Sequence, residues 1–125
     1  MAAVTPSELR GNRDGKAIIT YYGTGASNTD ATLTTTAVVA HKTQRVLWAS
    51  AVYSGSATQT GVTFTIDSAR GSGYDTLLTT GSADARTSVY LPDGEILLQP
   101  GDSLAVTALA GGAVTAAIQV VVEQN

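Results

Sequence analysis

Val62-Thr63-Phe64-Thr65-Ile66-Asp67 decides the fold class. Val62, Phe64 and Ile66 point one way along an extended chain, and Thr63, Thr65 and Asp67 point the other. Strict period-two alternation of this kind marks a strand with one buried face. The pattern recurs outward from this stretch. Leu104, Val106 and Ala108 alternate with Ala105 and Thr107. Val114, Ala116, Ile118, Val120 and Val122 alternate with Thr115, Ala117, Gln119, Val121 and Glu123, and the ends of that strand are apolar on both faces. Ala17 to Tyr22 is β-branched and aromatic, which suits a pleated surface. Leu33 to Val39 is Thr-rich, and Val46 to Tyr53 is nearly continuous apolar, as in a central strand. Thr76 to Thr80, Ser88 to Leu91 and Glu95 to Leu98 supply shorter pieces.

Turn clusters separate these runs: 23–28, 54–56, Gly71-Ser72-Gly73, Pro92-Asp93-Gly94 and Pro100-Gly101-Asp102. They supply the positive or fixed φ that tight turns need. Helical spacing is absent beyond single turns at Pro6 to Arg10 and Ser82 to Arg86. About eight short strands at regular spacing indicate an all-β sandwich or barrel over residues 17–125, and an antiparallel β-sandwich is the expected fold. Residues 1–16 carry no periodicity, and hold Arg10, Arg13 and Lys16 among the seven basic residues of the chain. They read as an extended N-terminal arm that either clamps a neighbouring subunit or packs on its own domain.

The 125 residues are 43% hydrophobic and 14% charged. That charged share lies well under the usual ~25%. Normal apolar content with few charges argues against disorder. It also predicts much uncharged Thr, Ser, Gly and Ala surface, suited to close contact. A net charge of −3 offers no basic field for a phosphate backbone, so nucleic acid is not expected as a partner. No apolar run approaches the ~20 residues of a membrane span, and no signal peptide is visible. The absence of cysteine removes disulfides, thiolate nucleophiles and Cys-based metal sites.

No residue pattern points to catalysis. His41, the one histidine, stands beside Lys42 without a sequence partner, and there is no Gly-x-Ser-x-Gly elbow. It reads as a solvated loop residue. Asp67, Asp75, Asp84, Asp93, Glu95 and Asp102 fall in loops or at strand ends. They lack the alternating Asp run of a calcium loop, and Asx turns account for such positions. Gly71-Ser72-Gly73 lacks the Lys-Ser/Thr that completes a phosphate loop. The expectation is no enzyme, no cofactor and no metal. The candidate partner-binding residues are Leu9, Arg10, Arg13 and Lys16 in the arm, and Tyr74 and Tyr90, the aromatics nearest turns.

Two segments together carry a resemblance. One runs Thr63-Phe64-Thr65-Ile66-Asp67-Ser68-Ala69-Arg70-Gly71-Ser72-Gly73-Tyr74-Asp75-Thr76-Leu77-Leu78. The other runs Leu91-Pro92-Asp93-Gly94-Glu95-Ile96-Leu97-Leu98-Gln99-Pro100-Gly101-Asp102-Ser103-Leu104-Ala105-Val106. They resemble small jelly-roll β-sandwich virion proteins of tailed bacteriophages, over roughly residues 45–123. The Leu-x-x-Gly-Asp-x-Leu-x-Val pattern also occurs in unrelated jelly rolls and marks architecture rather than catalysis.

What the resemblance implies is a capsid decoration, or cement, protein. Such a protein is made in the host cytoplasm and sits on the capsid exterior as a homotrimer. It binds the major capsid protein and ties neighbouring subunits together. The alternatives are a tail, baseplate or head-fibre component, or a carbohydrate-binding module that holds a glycan on Tyr74 and Tyr90.

Overall fold

The computed structural model describes residues 2–55, 61–80, 87–90 and 95–125. The turn at 92–94, the helical turn expected over 82–86 and the acids Asp84 and Asp93 lie outside the described residues. Two mostly antiparallel sheets face each other. The first, sheet A, contains β1 (Ala2–Val4), β4 (Ala31–Thr34), β10 (Ser103–Ala108), β6 (Val62–Asp67) and β7 (Thr76–Thr80), in that order. Sheet B runs β2 (Ser7–Arg13), β3 (Lys16–Thr24), β11 (Ala116–Gln124), β5 (Gln44–Tyr53) and β8 (Thr87–Tyr90), with the short β9 (Leu97–Leu98) also on β5. Only the β1–β4 pair among these is parallel.

The alternation read from the sequence sets the core. Val62 and Phe64 of β6, and Leu104, Val106 and Ala108 of β10, are buried against Ile118, Val120 and Val122 of β11 and Ala49, Ala51 and Tyr53 of β5 in one cluster. Phe64 lies opposite Val106, and Val62 opposite Ala108, so the two strands point the same apolar side inward. Removing a buried aromatic such as Phe64 costs about 3–5 kcal/mol, because transfer energy and cavity add.

The expected strand at Leu33 to Val39 is shorter than the sequence suggested. β4 ends at Thr34, and the chain then crosses toward the turn at 39–42. Thr35 holds this crossing: its N–H donates to the Leu104 carbonyl at 3.0 Å, and its Oγ1 accepts the Leu104 N–H at 2.9 Å. The final strand likewise begins at Ala116 rather than Val114. β9 covers two of the four residues from Glu95 to Leu98.

The segment expected as an N-terminal arm lies along strands of its own chain. Ala2–Val4 and Ser7–Arg13 are strands of the two sheets, and the boundary expected after residue 16 falls just inside β3. β1 lies beside β4, with Val4 opposite Leu33. The chain crosses to the other layer at Thr5-Pro6 and runs as β2 along β3, from Ser7 opposite Tyr22 to Arg13 opposite Lys16. Asp14 (φ 53°) and Gly15 (φ 81°) close this hairpin. Two positive φ values in a two-residue loop make the type I′ turn that Asp-Gly favours. The Asn12 side-chain oxygen accepts the Gly15 N–H at 3.2 Å. Every residue of β2 is exposed, so no alternation betrays it as a strand. The single helical turn expected at Pro6 to Arg10 is part of this strand.

Two tyrosines tie the layers with their hydroxyls. Tyr53 donates to the Leu109 carbonyl at 2.8 Å. Tyr21 is buried against Gln44 and Thr36. Burial pushes both phenols above the ordinary tyrosine range near 10, and for Tyr21 contact with Gln44 partly opposes it. The neutral form is therefore favoured in the folded state. Its stabilisation is complete below about pH 10 and is lost as pH climbs through the raised folded-state values. Urea midpoints measured from about pH 8 to 12 should fall on the alkaline side of 10. They should fall less steeply in Tyr53→Phe; a flat profile in the wild type would contradict the assignment.

Gly101 (φ 87°) sits at a corner where an added Cβ would meet the Ala69 Cβ at 2.6 Å. Both the left-handed backbone and the neighbouring loop demand glycine there. Gly101→Ala should destabilise the fold by roughly 2 kcal/mol. Gly11→Ala, in open space on β2, should shift stability by less than about 1 kcal/mol. Chemical denaturation distinguishes the two, and equal effects would show that the corner is not constrained.

Candidate interaction surface

The sequence candidates fall into two places. Leu9, Arg10, Arg13 and Lys16 all lie on the β2–β3 hairpin. Tyr74 stands on the loop between β6 and β7. Tyr90 is opposite Ala49 on β8, and its side chain lies outside the described part of the structure.

The Tyr74 loop is built by aspartates. The Asp75 carboxylate accepts the Ser68 N–H at 2.9 Å. Asp102 spans two loops, its oxygens accepting the Ala69 N–H at 3.0 Å and the Gln99 N–H at 3.1 Å. The Ser68 hydroxyl accepts the Arg70 N–H at 3.1 Å. Gly71 (φ 109°) turns the chain, and the Tyr74 N–H donates to the Gly71 carbonyl at 3.0 Å. The Ile-Asp-Ser, Tyr-Asp and Gly-Asp pieces of the two familiar segments thus form one structural knot. Tyr74 remains 55% exposed, and the Arg70 guanidinium lies 4.3 Å from its ring centroid. One face of the ring is already occupied by that cation.

Asp102→Ala removes both acceptors and should cost about 1–3 kcal/mol. The Ala69 and Gln99 amides should exchange faster with solvent in that variant, while amides of β10 and β11 keep their order of protection. Unchanged exchange at Ala69 would show that the loop holds without Asp102.

The broader surface is the outer face of sheet B, which the sequence reading did not single out. Sandwich strands ordinarily turn a polar side to water. Here β3 presents Ile18, Thr20 and Tyr22 outward, β11 presents Ala117, Gln119 and Val121, and β5 presents Ser50 and Val52. A register shift between Val121 and Val122 leaves Leu47 as an extra residue on β5. Leu47 and Trp48 both end half-buried beside Ile18 and Val121 as a result. A bulge re-aims side chains in this way.

Next to this cluster runs a groove lined by Leu9, Thr20, Tyr22, Val52 and Gln119, with the strand at Ile118 beneath. Leu9 is 61% exposed at its rim. The charges of the face gather at one end, where Arg13 and Lys16 approach Glu123 at 3.4 and 3.6 Å and Arg45 lies alongside. These pairs are partly solvated and contribute little to stability.

Sheet A shows the opposite character. Thr32, Thr107, Thr63 and Thr80 stand in register across β4, β10, β6 and β7. Thr32 and Thr107 share a hydrogen bond at 2.9 Å between hydroxyls.

His41 is exposed in a turn at φ 66°, with the Lys42 N–H bonded to the Val39 carbonyl at 3.2 Å. Among the described residues, no group of three or more His, Cys, Asp or Glu is placed to hold a metal ion. No helix among them is long and apolar enough to cross a membrane. No protein-family model and no curated protein matches the chain.

Proposed function

We propose that this chain is a jelly-roll capsid decoration protein that lays the outer face of sheet B on the exterior of a phage capsid and so strengthens contacts between major capsid subunits. The observation that carries the reading is that face itself. It places Ile18, Tyr22, Leu47, Trp48 and Val52 among the neutral Thr20, Ser50 and Gln119, is uncharged apart from one end, and sits on a sheet instead of a loop. Surfaces of this kind mark protein interaction sites.

The strand order supports the architecture. With β1 and β2 set aside, β3-β11-β5-β8 and β4-β10-β6-β7 interleave in the manner of two nested Greek keys. Jelly rolls so connected serve as viral capsid and lectin domains. The fold leaves a carbohydrate-binding role as the competing reading, favoured by the exposed Tyr74. Sugar recognition, however, needs a free aromatic face with convergent polar groups, and Arg70 takes one face of that ring. A threefold assembly belongs to the resemblance, and no residue of this chain argues for it. Many copies on a symmetric lattice hold firmly even where each contact is modest.

The test is co-sedimentation with undecorated capsids of the parent phage. Binding should saturate at a fixed ratio to capsid subunits. Ala117 is exposed on the face and touches no core, so Ala117→Lys should leave the circular dichroism unchanged and weaken capsid binding at least tenfold, which corresponds to about 1.4 kcal/mol. A wild-type protein that stays in the supernatant would refute the role. A saturable change in Trp48 or tyrosine fluorescence on titration with sugars would transfer the assignment to a carbohydrate module.

A further inference from the structure

Among the described residues β2 is the free edge of sheet B, and its sequence is complementary to itself. We propose that two copies of the chain pair through this strand, antiparallel about a twofold axis at Leu9, and fuse their B sheets into one. The inference does not depend on the capsid role.

The hairpin dictates which backbone groups are available. Arg13 and Lys16 flank a two-residue turn, so they form a hydrogen-bonded pair. Alternation then places Gly11, Leu9 and Ser7 in bonded pairs with β3 as well. The N–H and C=O groups of Glu8, Arg10 and Asn12 therefore point away from the sheet, toward the open edge. Pro6, in the same phase, has no N–H and ends the ladder without breaking a bond inside the sheet.

A twofold axis perpendicular to the sheet maps its outer face onto the outer face of the second copy. Residues opposite each other must then share the same phase, which leaves few registers. Centring on Glu8 sets two carboxylates face to face, and centring on Arg10 sets two guanidiniums face to face. Centring on Gly11 shortens the ladder and places Arg10 against Asn12. Centring on Leu9 places Glu8 opposite Arg10 of the second copy, twice over, in the hydrogen-bonded positions. It also sets Leu9 against its own equivalent in the non-bonded position, where side chains approach most closely. Asn12 falls opposite the Pro6 carbonyl.

Charges on an edge strand commonly prevent such pairing. A blocking edge works through like charges or through lysine. β2 instead carries one acid and one base two residues apart, the spacing that makes a strand its own partner. Within one chain Glu8 and Arg10 already meet at 3.4 Å, with the Arg10 side chain 58% exposed, so exchanging that contact for the intermolecular one sacrifices little. β2 holds neither a bulge nor an internal proline. Leu9, 61% exposed at the rim of its groove, gains its own equivalent as an apolar neighbour in this arrangement, and the grooves beside Tyr22 in the two copies meet across the joint.

Light scattering after gel filtration, with sedimentation equilibrium, tests this on the full chain. The wild type should have twice the chain mass. Glu8→Arg and Arg10→Glu should each run at the mass of one chain, because each places like charges opposite each other. Mixing these two proteins should restore the doubled mass, since opposite charges then face across the mixed pair. The double variant Glu8→Arg/Arg10→Glu should form the dimer alone. Arg10→Pro, whose lost N–H faces the open edge, should keep the β-sheet circular dichroism and give only the single-chain mass. A wild type of single-chain mass, a trimer, or a dimer indifferent to these charge reversals would overturn the proposal. Capsid binding by a protein of single-chain mass would do so without touching the decoration role.

Discussion

The structure depends on β11. Ala116–Gln124 lies between β3 and β5 and hydrogen-bonds to both along its length. It supplies Ile118, Val120 and Val122 to the core, opposite strands drawn from the first half of the chain. Sheet B has no continuous ladder without it: β2–β3 would be an isolated hairpin, and β5 would keep only short partners in β8 and β9. A two-stranded hairpin alone is marginal in water. Most stabilising contacts of this protein are therefore long-range, a topology that folds slowly because loop closure precedes the contacts that compensate for it.

Much of this could be read from the residues, because the inter-sheet core imposes alternation wherever one face is buried. β6 and β10 carry that pattern cleanly. The part that escaped was β2, which buries nothing on either side. Its only signal was Asp14-Gly15, a strong hairpin dipeptide stranded among polar neighbours. The outer face of sheet B was also written in the sequence, but in a form easily taken for centrality. Ile18-Ile19, Leu47-Trp48 and Val120-Val121-Val122 are apolar on both phases. In a two-layer fold the second apolar phase has no layer to meet, so it falls on the outer face of the sheet. Leu9, Arg13 and Lys16 lie at the rim and the charged end of that face, and Tyr22 and Trp48 are its larger members.

The aspartates show the same division between pattern and placement. Asp75 and Asp102 looked like loop acids and are loop acids, but their placement could not be known from spacing. Asp102 brings the 68–75 and 99–102 turns together by accepting the Ala69 N–H from 33 residues away, while Asp75 closes its own turn on the Ser68 N–H. The resemblance to phage jelly rolls rests on residues whose work is to make this corner. It speaks to architecture first, and the functional reading has to come from the faces of the sheets.

Those faces give the molecule two different kinds of wetting. Across sheet A the transverse row of Thr32, Thr107, Thr63 and Thr80 keeps β-branched stiffness while offering a hydroxyl at each strand, so water stays anchored there. Across sheet B, Tyr22, Val52, Trp48 and Val121 leave water little to bond. A rigid body of this shape has a preferred orientation at any boundary between a polar and a less polar medium, with the threonine side toward bulk water. The placement of methyls and hydroxyls on the two sheets thus sets which side such a boundary would turn toward water.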